Sequence, residues 1–247
     1  MRAEIVLTVA ESKRLIARGV KELDIVQNAL KHGIVAIAKG TTNTYVASEF
    51  LGERVEPFSY TTGVTLPRKA KAEKRAETRP DLVYVNGVLS QEMSAIEATA
   101  KMRPGDVFMK GANALNYEAG IAGILVGDPT GGTIAKSIGH VVGRKAHLLI
   151  PVGLEKCVPF DILELHRRIV RSWSEDSNGS ALWPVTGIIV TEIEALKQFA
   201  DVDVVQVGAG GVAGAEGSVR LQIEGKKDQI DRIEEVLEGV WGEPAFC

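Results

Sequence analysis

The stretch GIVAIAKGTTNTYVASEFL, residues 33–51, decides the fold class predicted for this chain. It opens with an uninterrupted apolar run of strand length, as expected for a strand that is buried on both faces of a parallel sheet. A lysine, a glycine, two threonines and an asparagine follow, and then a helix-like tail. A strand that passes through such a turn into a helix is the repeating unit of layered α/β domains.

Further strand-like and helix-like segments alternate on both sides of this stretch. Apolar runs at 3–7, 81–87, 106–111 and 146–152 bring the number of expected strands up to Pro151 to five. After the first run, Thr8 and Glu11 have the T-x-x-E spacing of a helix start. The alternation predicts an α/β domain with a Rossmann-like, mainly parallel sheet layered with helices.

The pattern changes after Trp183. Residues 184–246 read as strand, helix, strand, strand, helix, strand, which is the order of a small ferredoxin-like α+β domain. The polar cluster SEDSNGS at 174–180 suits a linker. We therefore predict two domains, 1–183 and 184–247. A rival interpretation adds GIIV (187–190) and VDVVQV (202–207) to the first sheet.

The amino-acid composition limits the classes of partner that this chain can be expected to bind. The chain has 247 residues, 45% hydrophobic and 25% charged, which is ordinary for a globular protein of one or two domains. The net charge is −3, and the one dense basic run, residues 67–79, is diluted by glutamates and interpreted as a solvated loop, so no nucleic-acid partner is expected. No apolar run has the length of a membrane span, and the N-terminus lacks a signal-peptide pattern. We expect a cytoplasmic protein with no membrane partner.

The metal-binding and redox residue types form no recognisable motif. Cys157 and Cys247 lie far apart and match neither a metal spacing nor a disulfide framework. The four histidines form no H-E-x-x-H or similar pattern. Residues 208–213 have the G-x-G-x-x-A spacing of dinucleotide folds but lead into a strand, where that motif needs a helix. We expect no metal and no cofactor, and interpret 208–217 as a hairpin or a loop facing a ligand or neighbouring subunit.

Two glycine-bearing loops are candidate anion sites, because helix N-termini present free N–H groups and a positive dipole end. In the first, Thr42 or Asn43 could instead cap the helix. In the second, residues 107–139, Gly127 and Gly132 have the glycine spacing of a Walker loop, but Thr133 occupies the position of its lysine. The alternative for this loop is a tight Asp-Pro turn before a closely packed helix. The candidate ligand-binding residues are Gly40, Thr41, Thr42, Asn43, Lys110, Gly111, Asn113, Gly131, Gly132, Thr133 and Lys136.

A third candidate region follows the predicted strand at 146–152. Glu155, Lys156 and Cys157 would lie at a strand end, where open α/β sheets bind their ligands. They supply an acid, a cation and a potential nucleophile. A single cysteine without a partner base is more often an inert thiol.

Residues 106–152 resemble the strand, GAD turn, glycine and helix segment of methylthioribose-1-phosphate isomerases and the related initiation-factor exchange subunits. AKGTTNTYVA (38–47) is similar to the phosphate loop of ribose-5-phosphate isomerase. Both belong to the superfamily that includes glucosamine-6-phosphate deaminase and the CoA-transferases. The resemblance implies a phosphosugar, or a related acyl or anionic ligand, across the carboxyl ends of the strands.

In this resemblance Gly111 and Ala112 match the first two positions of the GAD motif. The third position is Asn113, where the isomerases use an aspartate for proton transfer, and an amide cannot act as a general base. Asp128 and Glu155 are therefore the candidate catalytic residues. We expect the chain to bind a small phosphorylated or carboxylated metabolite, with isomerase or transferase chemistry, as a homo-oligomer. A non-catalytic ligand sensor and an oligomeric assembly protein stay open as alternatives.

Overall fold

The computed structural model of the chain describes residues 1–69, 77–174 and 177–246, so the basic run at 67–79 and Cys247 lie largely or wholly outside the described residues. The strands are β1 (Arg2–Leu7), β2 (Ile34–Ile37), β3 (Leu82–Val85), β4 (Val88–Leu89), β5 (Val107–Met109), β6 (Ala114–Asn116), β7 (Ile121–Val126), β8 (His147–Pro151), β9 (Ala181–Val185), β10 (Ile188–Val190), β11 (Val202–Ala209) and β12 (Val219–Gly225). The helices are α1 (Val9–Glu22), α2 (Asp24–His32), α3 (Thr41–Leu51), α4 (Ala95–Thr99), α5 (Gly132–Gly143), α6 (Ile162–Arg171), α7 (Glu192–Phe199) and α8 (Lys227–Glu238).

A six-stranded mixed sheet with helices on both faces confirms the α/β class. Its strand order is β10-β8-β5-β2-β3-β4. The first four strands in this order are parallel, and β3 and β4 extend the sheet as antiparallel strands. The apolar run predicted as a buried strand is β2, which lies between β5 and β3.

Alternate residues of these strands face two different helix layers. Val35 and Met109 belong to the core shared with α1, α2 and α3, whereas Ala36 and Phe108 belong to the core shared with α4 and α5. Both faces of the parallel strands are therefore buried, which explains their continuous apolar sequences.

Two smaller antiparallel sheets complete the structure. The first has the order β1-β12-β11 and packs against α7 and α8. The second has the order β6-β7-β9 and is covered by α6, whose apolar side chains Ile162, Leu165 and Ile169 pack around Ala114 and Leu182.

The strand pairings cross the boundary predicted at residue 183, and the ferredoxin-like arrangement is not confirmed. The first strand, β1, pairs with β12 rather than with the large sheet. The predicted strand at 185–190 is divided: Val185 ends β9, which pairs with β7, and residues 188–190 form β10, which pairs with β8 in the large sheet. Gly187 makes this possible, because a Cβ atom there would lie 2.5 Å from the Leu148 carbonyl oxygen. The rival interpretation thus placed GIIV correctly, but β11 does not join the large sheet.

The predicted last strand, residues 241–246, has no strand structure. Glu243 instead binds the Arg14 guanidinium at 2.8 Å and 3.1 Å. Phe246 packs on the rings of Tyr45 and Phe58. A proline at position 244 cannot donate a ladder hydrogen bond, so this segment is better suited to a tail that packs through side chains.

The buried Asp106 carboxylate ties together the edge of the large sheet where the parallel strands begin. Its Oδ1 accepts from the Ile34 N–H and its Oδ2 from the Arg103 N–H, both at 2.8 Å. Its backbone carbonyl accepts from His147 N–H at 2.8 Å. One residue therefore fixes the starts of β2, β5 and β8.

Within the part of the chain that the structure describes, no helix combines the length and the apolar character needed to cross a membrane.

Candidate functional site

The candidate site lies at the edge of the large sheet where its four parallel strands end. The residues that follow these strands include Lys39 after β2, Lys110 after β5, Glu155 after β8 and Glu192 after β10. α3 and α7 begin directly after β2 and β10, so their N-termini also lie at this edge. Ligands of open α/β sheets bind at this position, and helix N-termini favour anions there.

Glu192 is a completely buried carboxyl at the start of α7. Its Oε2 accepts from the Leu154 N–H at 2.9 Å, and its Oε1 has no hydrogen-bond partner among the described residues. Burial raises the pKa of Glu192 to about 7, and the nearby Glu155 carboxylate adds to the increase. The neighbouring Ser12 hydroxyl opposes the increase, although its oxygen does not form a full hydrogen bond. At neutral pH this carboxyl can therefore both donate and accept a proton.

Glu155 places a second carboxyl next to the first. It is the residue after Leu154, which holds Glu192, and neither of its buried carboxylate oxygens has a hydrogen-bond partner among the described residues. The side chain folds back over Gly153 so closely that a Cβ atom at Gly153 would collide with the carboxylate. The glycine thus determines where this carboxylate lies.

Replacing Gly153 by alanine is expected to displace the Glu155 carboxylate with little change in the backbone. The φ of −76° and ψ of 150° at Gly153 suit alanine, so the collision with Glu155 is the main effect. We expect ligand affinity to fall about as far in Gly153→Ala as in Glu155→Gln, measured by titration calorimetry. Gly63→Ala is the control, because no atom of the described residues lies within 4 Å of a Cβ atom there. Unchanged affinity in Gly153→Ala would contradict this role.

Lys13 and Lys156 lie close enough to the two carboxyl groups to feel their charges, and Lys110 lies next to Lys156. Burial lowers the pKa of Lys13, which also feels the charges of Glu155, Lys156 and Glu192. Burial likewise lowers the pKa of Lys156, whose Nζ donates to the Ala112 carbonyl at 2.8 Å. Burial and the adjacent Lys156 lower the pKa of Lys110 to about 8. Each lysine is therefore more easily deprotonated than a surface lysine.

These charges lie near one another without forming ion pairs. Across the described residues, no carboxylate oxygen lies within 4.0 Å of the Nζ atom of Lys13, Lys110 or Lys156. Buried charges in proteins are normally paired or hydrogen-bonded, because an unpaired buried charge is costly. The arrangement is chemically suited to a ligand that supplies both negative charge and hydrogen-bond donors.

The first glycine loop lies at the same edge. Gly40 is the N-cap of α3, and no side chain of the described residues caps this helix, so Thr42 and Asn43 do not have the capping role considered as the alternative. Both are buried. The Asn43 amide donates to the carbonyl oxygens of Ala38 at 2.6 Å and Met109 at 3.3 Å, which joins the ends of β2 and β5. Thr42 Oγ1 and Asn43 Oδ1 have no hydrogen-bond partner among the described residues.

In the second glycine loop, Asp128 and Thr130 hydrogen-bond each other within the turn. Asp128 accepts hydrogen bonds from the Thr130 N–H at 2.7 Å and the Thr130 hydroxyl at 2.6 Å. These hydrogen bonds lower the pKa of Asp128, which is exposed. Gly131 and Gly132 have φ values of 82° and 60°, which a turn of this kind requires. This geometry matches the alternative of a tight turn before a helix.

The two glycine loops are not joined by hydrogen bonds or ion pairs among the described residues. α5 packs with Ile134 against the sheet face opposite α1 and α3. Because α5 leads back to the start of β8, its first turn points toward the edge where the parallel strands end. Thr133 is half-buried and Lys136 is exposed in this turn. Convergence of the two loops on one ligand stays a prediction.

The remaining residues that the sequence singled out have structural contacts. Asn113 Oδ1 accepts from the Leu125 N–H at 3.0 Å, which holds the hairpin of β6 and β7. Gly111 lies near the Pro151 carbonyl oxygen. Cys157 is a free thiol on the surface. Partial loss of solvent around its sulfur, together with the charges of Glu192 and Glu155, raises its pKa, which opposes formation of the nucleophilic thiolate. Residues 210–217 form the exposed connection between β11 and β12.

Sequence reasoning missed Lys13 and Glu192 as site residues. Both occur in helix-forming segments, Lys13 in α1 and Glu192 at the start of α7, so neither was selected as a residue that follows a strand. A glutamate directly after the buried strand β10 was the available signal, because strand ends carry the ligand residues of α/β sheets.

The described part of the chain contains no group of three or more His, Cys, Asp or Glu side chains arranged to hold a metal ion. Comparison with known protein families, with characterised proteins and with solved structures found no significant match to the chain.

Proposed function

We propose that the chain binds a small phosphorylated or carboxylated metabolite where β2, β5, β8 and β10 end. The observation that carries this proposal is that three buried carboxylate oxygens, both of Glu155 and Oε1 of Glu192, have no hydrogen-bond partner in the part of the chain that the structure describes. The charges of these two carboxylates act on Lys13 and Lys156. Neither lysine forms an ion pair within 4.0 Å among the described residues. A ligand with an anionic group and hydroxyl groups would complement both sets of charges.

The anionic group is assigned to the lysines and the helix N-termini. Lys13 and Lys156 supply cations, and the first turn of α3 supplies free N–H groups beside the unpartnered Thr42 hydroxyl. Such donors bind phosphate or carboxylate through charge-assisted hydrogen bonds. The hydroxyl or carbonyl end of the ligand is assigned to Glu155 and Glu192.

We propose acid–base chemistry at Glu192, because its pKa of about 7 suits proton transfer near neutral pH. This is consistent with an isomerase-like or transferase-like enzyme. It also agrees with the resemblance to the phosphosugar isomerases and CoA-transferases and with a Rossmann-like interpretation of the parallel strands. Cytoplasmic location and homo-oligomerisation stay predictions.

The test is a thermal-shift screen of the protein with phosphosugars, 2-oxo acids, CoA esters and inorganic phosphate. A ligand at a hundred times its dissociation constant stabilises by about 2.7 kcal/mol. We expect one anionic class to raise the melting temperature, and Lys13→Met to weaken that ligand at least tenfold. Lys101→Met, at an exposed lysine, is the control and should leave the affinity unchanged. If no compound raises the melting temperature of the protein, the proposal is wrong.

A non-catalytic sensor is distinguished from an enzyme by turnover. The ligand found in the screen is incubated with the protein and followed by NMR. Conversion that is lost in Glu192→Gln, while binding persists, would identify an enzyme. Saturable binding without conversion would identify a sensor, and an assembly role would require neither.

A further inference from the structure

We propose that Lys110 is a nucleophilic amine that forms a Schiff base with the carbonyl group of an anionic carbonyl metabolite, with Lys156 as the proton donor. The substrate class is a 2-oxo acid or a phosphorylated aldehyde or ketone. This inference rests on the proposed function, because the anionic group of the same ligand would occupy the site around Lys13 and the N-terminus of α3.

Lys110 has a central position at the candidate site. It follows β5, which lies between β2 and β8 in the large sheet. Its backbone N–H donates to the Leu149 carbonyl at 3.0 Å, which fixes the residue at the strand end. Among the described residues its Nζ makes no hydrogen bond and has no carboxylate oxygen within 4.0 Å. The residue is half-buried rather than enclosed in the core.

Lys156 places a positively charged group beside the Lys110 amine before the reaction. Its Nζ donates to the carbonyl of Ala112, two residues after Lys110, at 2.8 Å. An adjacent cation in a desolvated site favours the neutral form of a lysine, which is the nucleophilic form. The pKa of Lys110, about 8, accordingly leaves part of the population neutral near physiological pH.

The other two lysines are less suited to nucleophilic attack. Lys13 and Lys156 both experience the charges of Glu155 and Glu192, which favour the ammonium form. Lys13 is also buried, and the Lys156 Nζ is engaged with the Ala112 carbonyl, whereas Lys110 is half-buried and its Nζ makes no hydrogen bond among the described residues. This geometry assigns the attack to Lys110, and burial and the adjacent Lys156 favour its neutral amine.

The step balances without any further reactant. The neutral Lys110 Nζ attacks the carbonyl carbon, the π bond of the carbonyl breaks, and one Nζ proton moves to the oxygen, which gives a neutral carbinolamine. The Lys156 ammonium gives a proton to the carbinolamine hydroxyl, the C–O bond breaks, and water leaves. The products are a protonated imine on Lys110 and a neutral amine on Lys156, so the net charge is unchanged. Glu192 and Glu155, which both act electrostatically on Lys156, are placed to stabilise its charged form before the transfer.

The experiment is reductive trapping with sodium borohydride. The full chain is incubated with pyruvate or with dihydroxyacetone phosphate, reduced, and analysed by intact mass and peptide mapping. Acetone, which has a carbonyl but no charge, is the control compound. We expect one adduct per chain, on Lys110, at least tenfold above any other lysine with one of the anionic probes. The adduct should be absent in Lys110→Arg and unchanged in Lys101→Arg.

The pH dependence of trapping tests the role of Lys156. In Lys156→Met the neighbouring cation is lost, so trapping at pH 7 should fall several-fold and its midpoint should move to higher pH. Lys156→Arg retains the charge and should keep the midpoint near that of the native chain. A purely structural role of Lys156 would not move the midpoint.

The outcomes separate this inference from the proposed function. Stabilisation by inorganic phosphate or pyruvate without a borohydride adduct would overturn the Schiff base and leave the anion site intact. An adduct spread evenly over many lysines, or located on Lys156, would also overturn the assignment. Absence of both stabilisation and adduct would contradict the two proposals together.

Discussion

Replacing Asp106 by alanine is expected to lower the free energy of unfolding by about 3–6 kcal/mol. The carboxylate accepts partly buried hydrogen bonds from the Ile34 and Arg103 N–H groups, and hydrogen bonds to a charged group contribute about 1.5–3 kcal/mol each. The loss is a large part of the roughly 5–15 kcal/mol that stabilises a typical domain. Urea denaturation followed by circular dichroism measures it.

Matched variants separate this effect from a general loss of charge. Asp106→Asn keeps the size of the side chain but turns an amide N–H₂ toward a backbone donor. The free energy of unfolding of this variant should therefore lie between those of the alanine variant and the native chain. Asp203→Ala removes a side chain that is 75% exposed and should change the stability by less than about 0.5 kcal/mol. A cost for Asp106→Ala as small as that for Asp203→Ala would show that the carboxylate does not hold the start of β2 and the turn before β5.

Replacing Glu192 by glutamine is expected to stabilise the free protein at pH 8 and to have little effect at pH 5. The folded-state pKa of about 7 lies above the ordinary value of 4.5, so the folded state binds the proton more tightly than the unfolded state. Stability is therefore greatest below pH 4.5 and falls as the pH rises to about 7. One pKa unit corresponds to about 1.4 kcal/mol, so the variant should gain about 3 kcal/mol above pH 7.

The same denaturation series at pH 5, 6, 7 and 8 measures this difference. The glutamine side chain of the Glu192→Gln variant keeps a carbonyl oxygen for the Leu154 N–H, so the existing hydrogen bond is preserved. Glu235→Gln, at an exposed position, is the control. Lys110, with a pKa of about 8, begins to affect the pH dependence of the unfolding free energy only near pH 8. A native chain and a Glu192→Gln variant that differ by the same amount at every pH would contradict a buried, titrating carboxyl.

The sequence predicts elements that depend on local interactions. The T-x-x-E pattern at Thr8 and Glu11 forms the expected capping box, because both hydrogen bonds lie within one helical turn. The stretch at 33–51 forms β2 and α3, because an apolar run and a glycine turn specify a strand and a helix without distant contacts. Glu155 and Lys110 could be selected as candidates, since the ends of parallel strands share one edge.

The sequence does not predict features that depend on distant partners. Nothing near β1 indicates that it pairs with β12 rather than with the large sheet, since an alternating strand fits either place. The burial of Glu192 results from packing between α1, α7 and the turn after β8, which no local pattern encodes. The Asp128 turn is a local feature that the sequence also leaves open. Its residue types fit an anion site and a turn that hydrogen-bonds within itself equally well, and the structure has the second arrangement.

The pairing of β1 with β12 sets a condition on folding during synthesis. The terminal amino group of Met1 hydrogen-bonds the carbonyl of Gly225, 224 residues away. At a translation rate of about 5–20 residues per second, β1 waits roughly 10–45 seconds for its partner strand to be made. During that interval an unpaired strand edge is exposed to other nascent chains. In ribosome-bound intermediates of this protein we therefore expect β1 either to be bound by a chaperone or to pack temporarily against the part of the large sheet that has already folded.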